Sequence, residues 1–165
     1  MTDGILSAIG RTPLVALRRL MRTDRFRLFA KLEALNPGGS IKDRAALSLL
    51  QGALQAGTIG PDTVVVESSS GNMGIGLAQA CAVLGLRFIC VVDVRTTLQN
   101  VAIMRAYGAE IEVVDAPSPG GGGFLQARIE RVRAITASLP RTFWPDQYGN
   151  IDNAPTFTNT GGRYS

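Results

Sequence analysis

At 165 residues, with 45% apolar and 18% charged side chains, the chain is long enough for one ordinary domain with a sizeable core, and its composition excludes a disordered polymer. The net charge of +4 comes from arginines spread along the sequence, loosely clustered only at Arg18, Arg19, Arg22, Arg25 and Arg27 and without interleaved aromatics, so a solvated basic face is expected and no nucleic-acid partner. Histidine is absent, and Cys81 and Cys90 lie in apolar segments without ligand spacing, so histidine acid–base chemistry is excluded and neither a metal site nor a disulfide is expected.

In chain order, residues 26–33 alternate and predict a strand, and residues 40–56 predict a helix ended by Gly57. Residues 63–67 (TVVVE) predict a short buried strand, and residues 72–84 a helix closed by Gly85. Residues 87–93 (RFICVVD) predict a second buried strand, 98–107 a helix ended by Gly108, 110–114 a strand, and 124–138 a helix. This alternation predicts an α/β fold, a parallel sheet flanked by helices. Residues 117–123 (PSPGGGG) predict a mobile surface loop, and residues from 145 onward carry no apolar period and predict irregular chain. The apolar stretch 75–86 is interrupted by Gln79 and far shorter than the ~20 residues of a membrane helix, and the N-terminus does not resemble a signal peptide. A cytoplasmic protein without a membrane partner is the expectation.

Two segments carry candidate chemistry. In residues 36–44 (NPGGSIKDR), Pro37, Gly38 and Gly39 form a turn, and Ser40 with Asp43 fits a capping box that places Ser40 at the helix N-cap. Lys42 then falls in the first helical turn, where the helix field and partial burial both disfavour its ammonium form. Of the 17 basic residues only Lys31 and Lys42 are lysines; where arginine serves every generic need for a cation, a retained lysine points to an amine able to form an imine. The bland alternative is an exposed lysine beside a helix cap. In residues 67–74 (ESSSGNMG), hydroxyls, a glycine and an asparagine precede a helix start, a ready site for a carboxylate or phosphate, or simply a polar turn with a serine cap. Residues 71–76, with Asp93 ending the next strand, superficially match a dinucleotide fingerprint, but the third glycine is missing.

Taken together, these segments resemble the cysteine synthase family, the β-family of pyridoxal-phosphate enzymes of fold type II. The resemblance is carried in order by residues 9–14 (IGRTPL), 29–33 (FAKLE), 37–44, 69–74 (SSGNMG), 107–109 (YGA) and 147–150 (QYGN), and covers residues 5–161. Residues 90–93 (CVVD), 122–125 (GGFL), Arg128, Ile129 and Met73 resemble the branch that makes N-(2-amino-2-carboxyethyl)-L-glutamate from O-phospho-L-serine and glutamate, a precursor of 2,3-diaminopropionate in siderophores and peptide antibiotics. Cysteine synthases usually carry threonine where Met73 stands.

The resemblance implies pyridoxal 5'-phosphate as cofactor, held through an imine by Lys42, with Asn72 bonded to its ring oxygen. It implies that Ser69, Ser70, Asn72 and the Met73 backbone hold the carboxylate of an amino-acid substrate, with Gln147 nearby, and that Lys31 is structural. Residues 1–35 would pack on a second domain, 36–145 would form the α/β domain, and 146–165 would be an irregular tail leading to that second domain. Family members are about twice as long, so the chain is expected to stop about halfway through a catalytic unit that is homodimeric at full length. The glycine-rich phosphate loop and the hydroxyl near the pyridine nitrogen have no counterpart. Cysteine synthesis from an acylated or phosphorylated serine and sulfide is the alternative activity, and an inactive remnant or interaction module is the alternative of another class.

Overall fold

The computed structural model describes residues 4–20 and 25–147. Two sheets are present among them. The smaller is an antiparallel pair, β1 (Leu14–Ala16) and β2 (Phe29–Lys31), with Val15 opposite Ala30. The larger holds β3 (Val64–Ser68), β4 (Arg87–Asp93), β5 (Glu110–Val114) and β6 (Thr142–Phe143) in the spatial order β5-β4-β3-β6, with every pairing parallel. Four helices accompany it: α1 (Lys42–Gln55), α2 (Asn72–Leu84), α3 (Leu98–Ala106) and α4 (Gly123–Ser138). The expected α/β architecture, a parallel sheet flanked by helices, is therefore present.

The alternation of strand side chains sorts the core into two layers. Val65, Phe88, Cys90 and Val92 pack with Leu50, Leu77, Cys81 and Met104 from α1, α2 and α3. Val64, Val66, Ile89 and Val91 pack with Val132 and Ile135 of α4. β3 is buried along its whole length, which is why its sequence reads as an unbroken β-branched run rather than an alternating one. α2 is buried almost all round, so it carries little polar residue to mark an outer face.

The position of α1 is set by a glycine. A Cβ on Gly76 would stand 3.1 Å from Ala46 Cβ and 3.2 Å from the Lys42 carbonyl oxygen, so α1 rests directly on the α2 backbone. Gly76→Val therefore drives the two helices apart. We expect a loss of about 1–3 kcal/mol, the usual cost of overpacking, read as a lowered urea midpoint. An unchanged midpoint would show that α1 is placed by something else.

Some expectations need correction. The strand expected at 26–33 is only Phe29–Lys31: its partner β1 is three residues long, and the chain turns at Leu32 into a short 3₁₀ turn at Glu33–Leu35. Backbone bonds Leu17 N to Leu28 O (2.9 Å) and Leu32 N to Pro13 O (3.0 Å) mark the two ends of that pairing. The helix expected from Ser40 begins at Lys42. Strand β6 was not foreseen, because its two residues carry no period. The glycines at 121–123 all have positive φ, and the 117–123 loop is closed by Ser118 N to Gly123 O and Gly121 N to Ser118 O, both 3.2 Å, with the buried Ser118 hydroxyl donating to Glu130. Residues 148–150 of the expected QYGN motif, and the expected tail beyond them, lie outside the described residues.

Candidate active site

The turn before α1 is fixed by one buried amide. Asn36 Oδ1 accepts from Gly10 N (2.8 Å), while Nδ2 donates to the Glu33 carbonyl (2.9 Å), to Glu33 Oε2 (2.7 Å) and to the Ser40 carbonyl (3.0 Å). Arg44 completes the arrangement. Its Nε lies 2.8 Å from Glu33 Oε2, and Nη2 donates to the Gly10 carbonyl, Thr12 Oγ1 and Glu33 Oε1. Burial pushes the Glu33 carboxyl upward, but the donors from Arg44 and Asn36 outweigh it and leave Glu33 below its usual range.

The capping box expected from Ser40 and Asp43 does not form. Ser40 Oγ accepts from Lys42 N (3.1 Å) instead of from the residue three along, and the Asp43 carboxylate reaches back to Gly38 N. The turn is too tight for the box: a Cβ on Gly38 would stand 2.5 Å from Asp43 Oδ1, and Gly39 takes φ 82°. Asp43 is buried, and that burial pushes its carboxyl up despite the Gly38 N–H. The outcome places Lys42 as the first helical residue of α1, half-buried.

The second segment leaves β3 at Ser68 and enters α2 at Asn72. Ser69 is 4% exposed, and its hydroxyl accepts from Gly74 N (2.9 Å) and Gly71 N (3.4 Å), so it caps the start of α2. Two groups hold the loop from beneath: Cys90 Sγ donates to the Ser69 carbonyl (3.2 Å) and Asn100 Nδ2 to the Ser70 carbonyl (2.9 Å). Neither Cys90 nor Asn100 was singled out from sequence for this task. The Cys90 thiol, pushed up to about 12 by burial, stays a neutral donor. Gly74 allows the approach, since a Cβ there would stand 3.1 Å from Cys90 Sγ and 2.7 Å from Met104 Sδ.

These two helix starts face one open concavity of about 300 Å³, lined by Lys42, Ser69, Ser70, Gly71, Asn72, Met73 and Gln147. All six residues predicted from sequence for the site are among the seven, brought together from three stretches of chain. A larger hollow of about 570 Å³ runs along residues 16–20 but offers only arginines, which cannot form an imine. Lys31 is elsewhere, its Nζ donating to the Thr12 carbonyl. The concavity offers an amine, hydroxyls, an amide and the first-turn N–H groups of α2, a set that suits an aldehyde beside a carboxylate. No phosphate cradle is among the seven residues. No group of three or more metal-ligating side chains occurs among the described residues, and no helix there is long and apolar enough to cross a membrane.

Gln147 reaches the concavity through a residue that sequence reading passed over. Glu67 is fully buried at the end of β3, and its carboxyl accepts from Ser68 N (2.7 Å), Trp144 Nε1 (3.2 Å) and Gln147 N (3.2 Å). Gln147 Nε2 in turn donates to the Ser68 carbonyl (2.9 Å). Burial raises Glu67 to about 7, against the lowering pull of these three N–H groups and with a further rise from Asp146. A folded value above the unfolded 4.5 means that the stability Glu67 contributes is full below about pH 4.5 and is lost as pH rises through 7. The loss expected is about 3 kcal/mol, to be read from urea midpoints at about pH 5 and about pH 8, and Glu67→Gln should remove that slope. A wild-type curve flat across this window would contradict it.

Comparison with known proteins gives the family. A family model described as pyridoxal-phosphate dependent enzyme matches residues 5–163. The chain is 50% identical over 153 residues to the N-(2-amino-2-carboxyethyl)-L-glutamate synthase of Ralstonia nicotianae, a match covering 93% of this chain and 45% of that protein. It is 48% identical over 148 residues to the synthase of the same name from Cupriavidus metallidurans, covering 90% and 43%. Among solved structures, a hydrogen sulfide-producing enzyme from Fusobacterium nucleatum superposes with a TM-score of 0.79 at 36% identity, covering 94% of this chain and 48% of that one. The chain thus spans under half the length of the curated relatives it matches. With the family's model matched over almost the whole sequence, the chain belongs to the pyridoxal-phosphate dependent enzymes.

Proposed function

We propose that this chain supplies the lysine-bearing half of a β-replacement enzyme acting on an O-activated L-serine. The substrate pair proposed is O-phospho-L-serine and glutamate, giving N-(2-amino-2-carboxyethyl)-L-glutamate. The observation that carries the reading is the meeting of Lys42 with the Ser69–Ser70–Asn72–Met73 loop and Gln147 around one concavity. The choice of nucleophile is supported by the two synthases at 50% and 48% identity.

In this reading Lys42 and Asn72 would hold the cofactor, the first through its amine and the second through a hydrogen bond from its amide. Pyridoxal phosphate, when bound, supplies the electron sink for chemistry at the substrate Cα. The Lys42 amine would take the substrate Cα proton and later return one. Ser69, Ser70, the N–H groups at the start of α2 and Gln147 hold the substrate carboxylate, fixing the Cα–H toward Lys42. The β-substituent leaves, and the glutamate amine adds at the same carbon.

The chain carries its own control for a test, because it has only two lysines. Incubation with pyridoxal phosphate followed by borohydride reduction should leave a pyridoxyl group on Lys42 and not on Lys31, read by peptide mass mapping. Equal labelling of both lysines, or none at Lys42, defeats the reading. The nucleophile is then decided by offering glutamate and sulfide separately with O-phospho-L-serine; sulfide turnover in preference to glutamate would favour cysteine synthesis.

A further inference from the structure

The sheet does not account for the position of Gln147. β6 pairs with β3 only at Val64–Thr142 and Val65–Phe143, and the ladder stops there. Past Phe143 the chain is no longer in register with β3 as a strand. A side chain takes over. Glu67, two residues beyond the last ladder pair, binds the Trp144 indole through Oε1 and the Gln147 backbone through Oε2. Gln147 then closes the link by donating from its side chain to the Ser68 carbonyl. Between the two anchors, Pro145 is fully buried and Asp146 takes φ 48°, the sole positive φ at a non-glycine residue among the described residues. Such a conformation persists where its surroundings over-determine it. The segment is thus pinned on both sides of a strained residue by one carboxyl group, and it ends on a residue that lines the concavity.

We infer that Glu67 is a positioning residue for the substrate-carboxylate site: its carboxyl group, bonded to Trp144 and to Gln147 beyond the end of the ladder, orients Gln147 toward the concavity. It touches neither substrate nor cofactor. Its effect passes through Gln147 and through Ser68, the residue that leads into the serine loop. The inference deepens the function proposed above and rests on it for the identity of the ligand.

Glu67→Gln is the discriminating variant, because it preserves volume and one carbonyl oxygen. Ser68 N and Trp144 Nε1 keep an acceptor, while Gln147 N would face an amide –NH₂ and lose its own. Amide hydrogen exchange, followed by NMR on the ¹⁵N-labelled 165-residue chain, should show the Gln147 N–H protected in the wild type and about tenfold less protected in Glu67→Gln. The pyridoxal-phosphate-loaded chain is then titrated with L-serine, which has the carboxylate and amine but a poor leaving group, and followed by visible absorbance. The apparent affinity for L-serine should fall about tenfold in Glu67→Gln while uptake of pyridoxal phosphate stays within about twofold. In a Gln147→Ala background the same Glu67 change should have no further effect on L-serine.

Equal exchange at Gln147 in both proteins overturns the inference, as does a parallel fall in cofactor uptake and serine affinity, which is what a purely structural role would give. Where Glu67→Gln does not fold, Glu67→Asp, which withdraws the carboxylate from Gln147, is read by the same criteria. A wild-type chain that takes up no pyridoxal phosphate defeats the proposed function, and the exchange measurement then decides on Glu67 by itself.

Discussion

Lys42→Arg should abolish the visible absorbance that the wild-type chain acquires with pyridoxal phosphate, although it keeps a long, nitrogen-tipped side chain. A guanidinium holds its proton and cannot condense with an aldehyde, whereas an amine can. Lys42→Ala should behave alike, which separates loss of the amine from any effect of bulk. Lys31→Arg is the matched control and should keep the absorbance, because Lys31 bonds the Thr12 carbonyl and does not line the concavity. In a catalytically competent assembly the Lys42 variants should lose turnover by a factor on the order of 10²–10⁴ or more, the usual worth of a positioned acid–base group. Absorbance that survives in Lys42→Arg would place the imine elsewhere and remove the basis of the functional reading.

Arg44→Met should cost about 3–5 kcal/mol of stability, the usual penalty for leaving one member of a buried ion pair alone. The Arg44 side chain is 6% exposed and that of Glu33 19%, and the guanidinium also serves Gly10 and Thr12. Methionine fills the volume but answers none of these acceptors. Since Asn36 leans on the same Glu33 carboxylate, the turn that leads to Lys42 loosens as well. Urea unfolding gives the first readout and the yield of borohydride-trapped Lys42 the second; both should fall. The pair also has an acid limit. Glu33 sits below its ordinary value in the folded chain, so its contribution is present above the unfolded value of 4.5 and disappears as pH falls through the lower, folded one. A variant as stable as the wild type would show that the cluster ties the opening segment down without supporting the fold.

What could be read from sequence follows from how each element is stabilised. α2, β4 and β5 match their expected bounds residue for residue, because β-branched strands and a glycine-terminated helix advertise their ends chemically. Gly85, with φ 69°, is the left-handed stop its position announced. The site residues were legible for a related reason: the chemistry of a lysine near one helix start and of hydroxyls at another is local. Strand β6 was not legible, since two residues make no pattern and its partner lies far away in sequence. Nor was the role of Ser40, whose hydroxyl bonds Lys42 N because Gly38 and Asp43 crowd the turn, a tertiary contact that no spacing rule contains. Glu67 was read as the end of an apolar strand. Its importance comes from Trp144 and Gln147, some 80 residues on, and nothing near it in sequence signals their approach.

The indole bonded to Glu67 belongs to the single tryptophan of the sequence. Indole fluorescence, excited beyond the absorbance of the three tyrosines, therefore reports one place only, the junction between the end of strand β3 and the segment that carries Gln147. Ionisation of the carboxyl, departure of the segment or arrival of a ligand would each alter that emission without a label, so the chain has an optical gauge built in beside its candidate site.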